Sequence, residues 1–246
     1  MNGRARDTLF NIKTVEEDFA FNERVVEVFD DMLDRSIPFY RQVIEGQAQL
    51  LDDFLHAGDR VYDLGCSTGT NLLALVRLLA PKKLQFVGID NSSPMLDKAR
   101  LKAELYTKQQ SLSFLLEDIT DFNHPAAGCI ILNYTLQFIR PLQRESFLER
   151  LYANLQPGGI LLLSEKVINH DKRLNRAFID IYHQFKKNRG YSELEIARKR
   201  EALENVLIPF SIEENKAMLL KSGFASVTTY FQWFNFTSFV AVKPAA

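Results

Sequence analysis

Two hydrophobic periods alternate along this chain. From Asn22, Val25, Val26, Val28, Phe29 and Met32 recur at helical spacing. Ser36-Ile37-Pro38 breaks that helix, and Phe39-Tyr40-Arg41-Gln42 opens a second one towards Leu55. The apolar run Val61–Leu64 then reads as a buried strand. An apolar helix over 71–79 ends at Pro81, and strands follow at 84–90, 111–116, 129–133 and 160–164. Helices over 93–109 and 141–154 separate them, and Pro157-Gly158-Gly159 is a turn before the fifth strand. Helix and strand in alternation predict an open, largely parallel α/β sheet. Strands 226–231 and 234–242, hinged at Gln232-Trp233, supply an antiparallel edge and bring the count to seven.

The interval 170–210 does not fit a minimal alternation. About forty charge-rich residues separate the fifth strand from the next candidates, longer than an ordinary connection. A helix over 174–187 stops at Gly190 as a C-cap, and another begins after a capping Ser192. A helix over 212–222 and Gly223 lead into the hairpin. Residues 1–20 read as irregular, with Phe10, Phe19 and Phe21 as anchors. No repeat, low-complexity run or linker divides the chain. The expectation is one domain over 1–246, with a helical addition over 1–56 and a helical insertion over 170–210.

Composition narrows the class. Apolar residues make up 46% and charged residues 25%, as in an ordinary globular protein with a core. The net charge of −1 gives no general attraction to nucleic acid or membrane, so direct tRNA binding is not expected. Cys66 and Cys129 form neither a metal-ligand pattern nor a secreted disulfide framework, and no metal is expected. There is no apolar leader and no run of membrane-spanning length, so the cytoplasm is the expected location. Charge is uneven: Asp171 to Glu201 holds nine Lys/Arg against five Asp/Glu. A solvated helix face accounts for most of these.

The chemistry starts at Asp63-Leu64-Gly65-Cys66-Ser67-Thr68-Gly69-Thr70. A strand ends in an acid, a glycine turn follows, and Ser67, Thr68 and Thr70 are candidate caps for the next helix. Ligands of open α/β sheets sit at this place. A dinucleotide site would want G-x-G-x-x-G, and the third glycine is missing. The acid at the mouth repels pyrophosphate but can hold a cation such as an amino group. A tight turn with no ligand is the other reading. Asp90 closes the second strand, where a carboxylate can accept from two ribose hydroxyls; capping the following helix is the alternative, and Asn91 and Ser92 can fill that role. Asp118-Ile119 after the third strand suits an exocyclic amine and an adenine face, or a turn cap. Asn133 ends the fourth strand without the Pro-Pro-Tyr of exocyclic-amine methylation. Tyr40 brings a hydroxyl to the same end or is a half-buried aromatic. Glu165 and Lys166, leaving the fifth strand, are expected to pair with each other or with solvent.

The glycine loop resembles motif I of class I S-adenosyl-L-methionine (SAM) methyltransferases. A more specific resemblance covers nearly the whole chain. Arg6-Asp7-Thr8-Leu9-Phe10, Asn22-Glu23-Arg24-Val25, Tyr62-Asp63-Leu64-Gly65-Cys66-Ser67 and Gly88-Ile89-Asp90-Asn91-Ser92 are similar to the bacterial carboxy-S-adenosyl-L-methionine synthases. So are Leu132-Asn133-Tyr134-Thr135-Leu136-Gln137-Phe138, Leu163-Ser164-Glu165-Lys166, Gly190-Tyr191-Ser192-Glu193-Leu194-Glu195-Ile196 and Phe234-Asn235-Phe236. The stretch after Phe10 and the run Ser67-Thr68-Gly69-Thr70 depart from the family pattern.

The resemblance implies a Rossmann-like seven-stranded mixed sheet carrying the two helical additions. It implies conversion of SAM and prephenate to carboxy-SAM, phenylpyruvate and water, with the product feeding a tRNA carboxymethyltransferase that modifies wobble uridine. It also implies a homodimer. Carried over by position, the ligand contacts are Tyr40, Gly65, Cys66, Ser67, Asp90, Asn91, Asp118, Ile119, Asn133 and Arg200. In the implied reaction, prephenate aromatises with loss of CO2 and hydroxide, and the hydroxide takes a proton from the methyl group acidified by the sulfonium to give water. The resulting ylide captures the CO2, which demands a site closed to bulk water. Arg200 is the implied catalytic residue, holding the new carboxylate bidentately, with Arg198 and Lys199 as alternates; by its neighbours alone it is one of three adjacent cations. An ordinary SAM-dependent methyltransferase of a small molecule or tRNA, and a non-catalytic SAM-binding partner protein, remain as alternatives.

Overall fold

The computed structural model describes residues 6–9, 23–106 and 111–245; Phe10, Phe19 and Phe21 lie outside them. Two helices come first, α1 (Glu23–Ser36) and α2 (Tyr40–Phe54). Then β1 (Arg60–Leu64), α3 (Thr70–Leu78), β2 (Gln85–Asp90), α4 (Ser93–Tyr106), β3 (Leu112–Leu116), β4 (Ala127–Asn133), α5 (Pro141–Ala153) and β5 (Leu155–Lys166) alternate as the periodicity predicts. The insertion forms α6 (Lys172–Asn188) and α7 (Glu193–Leu203), and α8 (Ile212–Lys221), β6 (Ser226–Trp233) and β7 (Phe236–Val242) complete the order.

The seven strands lie in the order β3-β2-β1-β4-β5-β7-β6. The first five are parallel, and β7 runs antiparallel between β5 and β6. Side chains alternate across the pleat, so the central strands feed two cores. Tyr62, Leu64, Ile130, Leu132, Leu161 and Leu163 face α5 and α8. Val61, Cys129, Ile131, Ile160 and Leu162 face α2 and α3. The β1–β4 reversal in strand order makes the switch point at which open sheets bind ligands.

Three local expectations change. The Pro157-Gly158-Gly159 turn is an excursion inside β5, where the pairing passes from Ala127↔Leu155 to Cys129↔Ile160. The hairpin turns at Phe234-Asn235 rather than Gln232-Trp233, with Phe234 at φ 46°. An irregularity between Thr229 and Phe231 takes up length, and Trp233 stays in the ladder to pack on Phe185 with ring centroids 5.4 Å apart. The acids and bases after β5 also separate. Glu165 follows Leu161 and Leu163 into one core at 2% exposure, while Lys166 emerges on the opposite face, so they do not pair. Burial pushes the Glu165 carboxyl well up, outweighing attraction to Arg144 and two backbone N–H donors.

The insertion leaves and returns at one point, since Ile168 bridges Ser211. Gly190 (φ 87°) follows α6, and Ser192 and Glu195 form a capping box that starts α7, as their residue types suggest. A clasp binds the insertion to α1. Asp7, 1% exposed, accepts from the Tyr191 hydroxyl at 2.5 Å, its backbone N–H donates to Asp31 at 2.8 Å, and it lies 3.7 Å from the Lys199 ammonium. Arg35 donates to the carbonyls of Asp7 and Arg189 and stacks over Tyr191.

Candidate active site

The loop after β1 turns through Gly65 at φ 76°, and the N–H groups of Gly65 and Cys66 both donate to the Ile89 carbonyl. A Cβ on Gly65 would come within 2.6 Å of Thr135, so packing of this loop on β4's exit demands glycine here. Helix α3 is capped by Gly69 with no side-chain cap, which corrects the expected role of Ser67, Thr68 and Thr70. The Thr68 and Thr70 hydroxyls donate instead to Asp30 of α1, each at 2.7 Å. Lys102 of α4 closes the same group, 2.9 Å from the Asp30 carboxylate and 2.7 Å from Thr70.

This latch fixes α1 over the loop. Burial raises the Asp30 pKa, but Lys102 and the two hydroxyls outweigh it and hold the carboxyl below its ordinary 3.8. A depressed carboxylate stabilises the fold above its unfolded pKa, and that contribution is lost as pH falls through the folded value. The latch is therefore expected to open only below about pH 4. Asp30→Ala is expected to cost about 1–2 kcal/mol at neutral pH, a partly exposed pair being worth less than a buried one. Hydrogen exchange should quicken over α1; unchanged exchange there would count against the latch.

All ten residues named from the sequence line one cavity of about 590 Å³: Tyr40, Gly65, Cys66, Ser67, Asp90, Asn91, Asp118, Ile119, Asn133 and Arg200. One end of it is acidic. Asp63 is 1% exposed, and burial pushes its carboxyl up to about 7 despite a hydrogen bond from Asn71 at 3.3 Å. Asp90 Oδ2 accepts from the Ser67 N–H and Oδ1 from the Ser92 N–H, both at 2.9 Å. A carboxylate has about four lone-pair sites, so accepting capacity is left for a ligand. Asp118 does cap a turn, through Oδ1 to Thr120, which leaves its Oδ2. Asn133 accepts from Gln47, and among the described residues its buried Nδ2 lacks a hydrogen-bond partner, as does Asn71 Oδ1. Buried donors and acceptors without partners are costly, and here they face space that a polar ligand can fill. The Cys66 side chain is buried, and its thiol is pushed well up by burial, so its place on the wall is not that of a nucleophile.

The opposite end is basic, and it comes from β5 and the insertion. Lys166, His183, Lys186, Lys199 and Arg200 all reach the wall. Most of the basic excess is solvated as expected, but Lys186 (5% exposed) and Lys199 (7%) are not. The signal was a helical stripe: Ile179, Tyr182, His183 and Lys186 follow i, i+3, i+4, i+7 and share the cavity face. Lys199 is already engaged by Asp7 and by Ser36, at 2.9 Å, and Arg198 is not on the wall, so of the three adjacent cations Arg200 is the one that offers an exposed guanidinium to the space. Arg140, which the sequence reading did not single out, also stands on the wall and donates to the Asn205 carbonyl. Among the described residues, no cluster of three or more His, Cys, Asp or Glu could hold a metal ion, and no helix is long and apolar enough to cross a membrane.

Strand order and acid-tipped strands together define a class I SAM-dependent methyltransferase fold. An O-methyltransferase family protein from Burkholderia thailandensis superposes with a TM-score of 0.66 at 18% identity, over 98% of this chain and 68% of that one. Human N-acetylserotonin methyltransferase in complex with SAM gives 0.60 at 16% identity, over 91% and 56%. A family model described as a methyltransferase domain matches residues 61–159. Sequence relatives are more specific. The carboxy-S-adenosyl-L-methionine synthase of Desulfotalea psychrophila is 66% identical over 97% of this chain and 98% of its own length. That of Wolinella succinogenes is 48% identical over 98% and 100%. The chain belongs to the carboxy-S-adenosyl-L-methionine synthase family.

Proposed function

We propose that this protein converts SAM and prephenate to carboxy-SAM, phenylpyruvate and water. The observation that carries the reading is the two-ended cavity in a chain that matches the synthases along its full length, insertion included. At the acidic end, Asp90 and Asn91 take the ribose, and Asp118 and Ile119 the adenine. Asp63, the Gly65–Ser67 backbone, Asn133 and Tyr40 surround the amino-acid portion, where a buried carboxylate without a cation suits an ammonium. SAM supplies a methyl carbon made acidic by its sulfonium. The residues of the chain bind it, shut out water with α1 and the insertion, and present Arg200 to the carboxylate that results.

The reading extends beyond the chain. A cytoplasmic homodimer passes its product to a tRNA carboxymethyltransferase acting on wobble uridine, as the family resemblance implies. Native mass spectrometry of the purified protein tests the core of the proposal. A bound ligand heavier than SAM by one CO2, and its formation on adding prephenate, are expected. Plain SAM or S-adenosylhomocysteine, with methyl transfer to an added acceptor, would instead place the protein among ordinary methyltransferases.

A further inference from the structure

The cations at the basic end outnumber the one carboxylate that Arg200 is assigned. Lys186 is 5% exposed and Lys166 half-buried, and no carboxylate of the described residues lies within ion-pair distance of either. What they share is an aromatic ring: their ammonium groups lie 4.5 Å and 5.3 Å from the centroid of Tyr182. That ring is itself held, since the Tyr182 hydroxyl donates to the Ser36 carbonyl at 2.9 Å. Lys199 differs from the pair because Asp7 already neutralises it. Desolvated like charges repel strongly in a cavity, and a fold keeps such an arrangement where an anion completes it.

We propose that Lys166 and Lys186, set about the Tyr182 ring, seat the carboxylates of the dicarboxylate co-substrate, while Arg200 receives the carboxylate that is transferred. The proposal rests on the reading that the co-substrate is prephenate, a dianion. It divides the cavity by charge: a cationic nucleoside at the acidic end, a dianion at the basic end, and the reacting carbons between them. Neither lysine belongs to the SAM end, so each should govern one substrate and not the other.

Titration of Lys186 gives a second handle. Burial first, and then Lys199, Lys166 and Arg200, hold its ammonium down to about 7. His183 on the same helix faces the cavity and is lowered by burial and then by Lys186, Arg200 and Lys166 against the pull of Asp180; Tyr182 lies between, and Glu204 beyond α7 lines the same wall. A bound dianion favours the charged lysine. Prephenate KM should therefore rise as pH climbs above about 7, with little change in SAM affinity.

The test measures prephenate KM at saturating SAM, SAM affinity by calorimetry, and Tm, in Lys166→Met, Lys186→Met and Lys186→Arg. For the methionine variants, prephenate KM is expected to rise about tenfold or more while SAM affinity stays within about twofold. Lys186→Arg should keep a low KM and lose most of its rise above neutrality, because arginine does not deprotonate. Unchanged prephenate KM, an equal loss of SAM affinity, or a pH dependence in Lys186→Arg as steep as in the unsubstituted protein would each overturn the assignment; a weaker residual dependence belongs to Lys166, which burial also lowers. If Lys186→Met does not fold, Lys166→Met and Lys186→Arg decide. Failure of the reaction itself shows differently, as a wild-type protein that forms no carboxy-SAM from prephenate.

Discussion

Asp90→Asn is expected to cut SAM affinity by about a hundredfold, close to 2.7 kcal/mol, while leaving Tm near the wild-type value. The two oxygens of Asp90 accept from Ser67 and Ser92 at 2.9 Å each. Asparagine keeps one acceptor and turns an NH2 group towards the other N–H. The ribose loses an ionised acceptor, worth roughly 1.5–3 kcal/mol per hydrogen bond, and the loop beneath it is pushed out of place. Stability behaves differently because burial raises the Asp90 pKa in spite of those hydrogen bonds. A carboxylate whose folded pKa is raised costs stability once ionised, above its unfolded value. Neutralising it removes that cost and offsets the lost hydrogen bond. Calorimetry with SAM and a thermal melt separate the two effects, and unimpaired SAM binding would remove Asp90 from the ribose.

Arg200→Ala is expected to weaken carboxy-SAM by about ten- to a hundredfold and SAM by no more than about twofold, because charge-assisted hydrogen bonds contribute roughly 1.5–3 kcal/mol. The discrimination is clean for a structural reason. Arg200 is exposed at the rim and has no ion-pair partner among the described residues, so truncating it strands nothing in the free protein. Lysine should recover only part of the loss, since it cannot grip a carboxylate with two parallel N–H groups. Equal weakening of both ligands would take Arg200 out of the site.

The acidic half of the cavity was legible in the sequence. Short apolar runs marked the strands, continuous because both faces of a parallel sheet are covered, and the acids at or just past their ends, Asp63, Asp90 and Asp118, are placed by backbone geometry alone. A residue that terminates a parallel strand points to the switch point whatever the rest of the chain does. The basic half was not legible in the same way. Nine cations in 171–201 say nothing about which turn inwards; that depends on Lys186 sharing a helical stripe with Ile179 and Tyr182, and on Asp7 lying across the fold from Lys199. Threonines ahead of a helix are ordinarily caps, and Asp30, which claims Thr68 and Thr70, comes from a helix far upstream. Glu165 and Lys166 were adjacent letters, and the pleat sent them to opposite sides of the sheet.

The clasp at Asp7 carries a consequence for how the enzyme can change. The segment ahead of α1 and the insertion after β5 are far apart in the chain, yet each supplies what the other lacks: Asp7 accepts from Tyr191 and neutralises Lys199, and Arg35 ties down the carbonyl that ends α6. A chimera that swapped only one of the two appendages is expected to leave Lys199 without its carboxylate and the Tyr191 hydroxyl without its acceptor, loosening both.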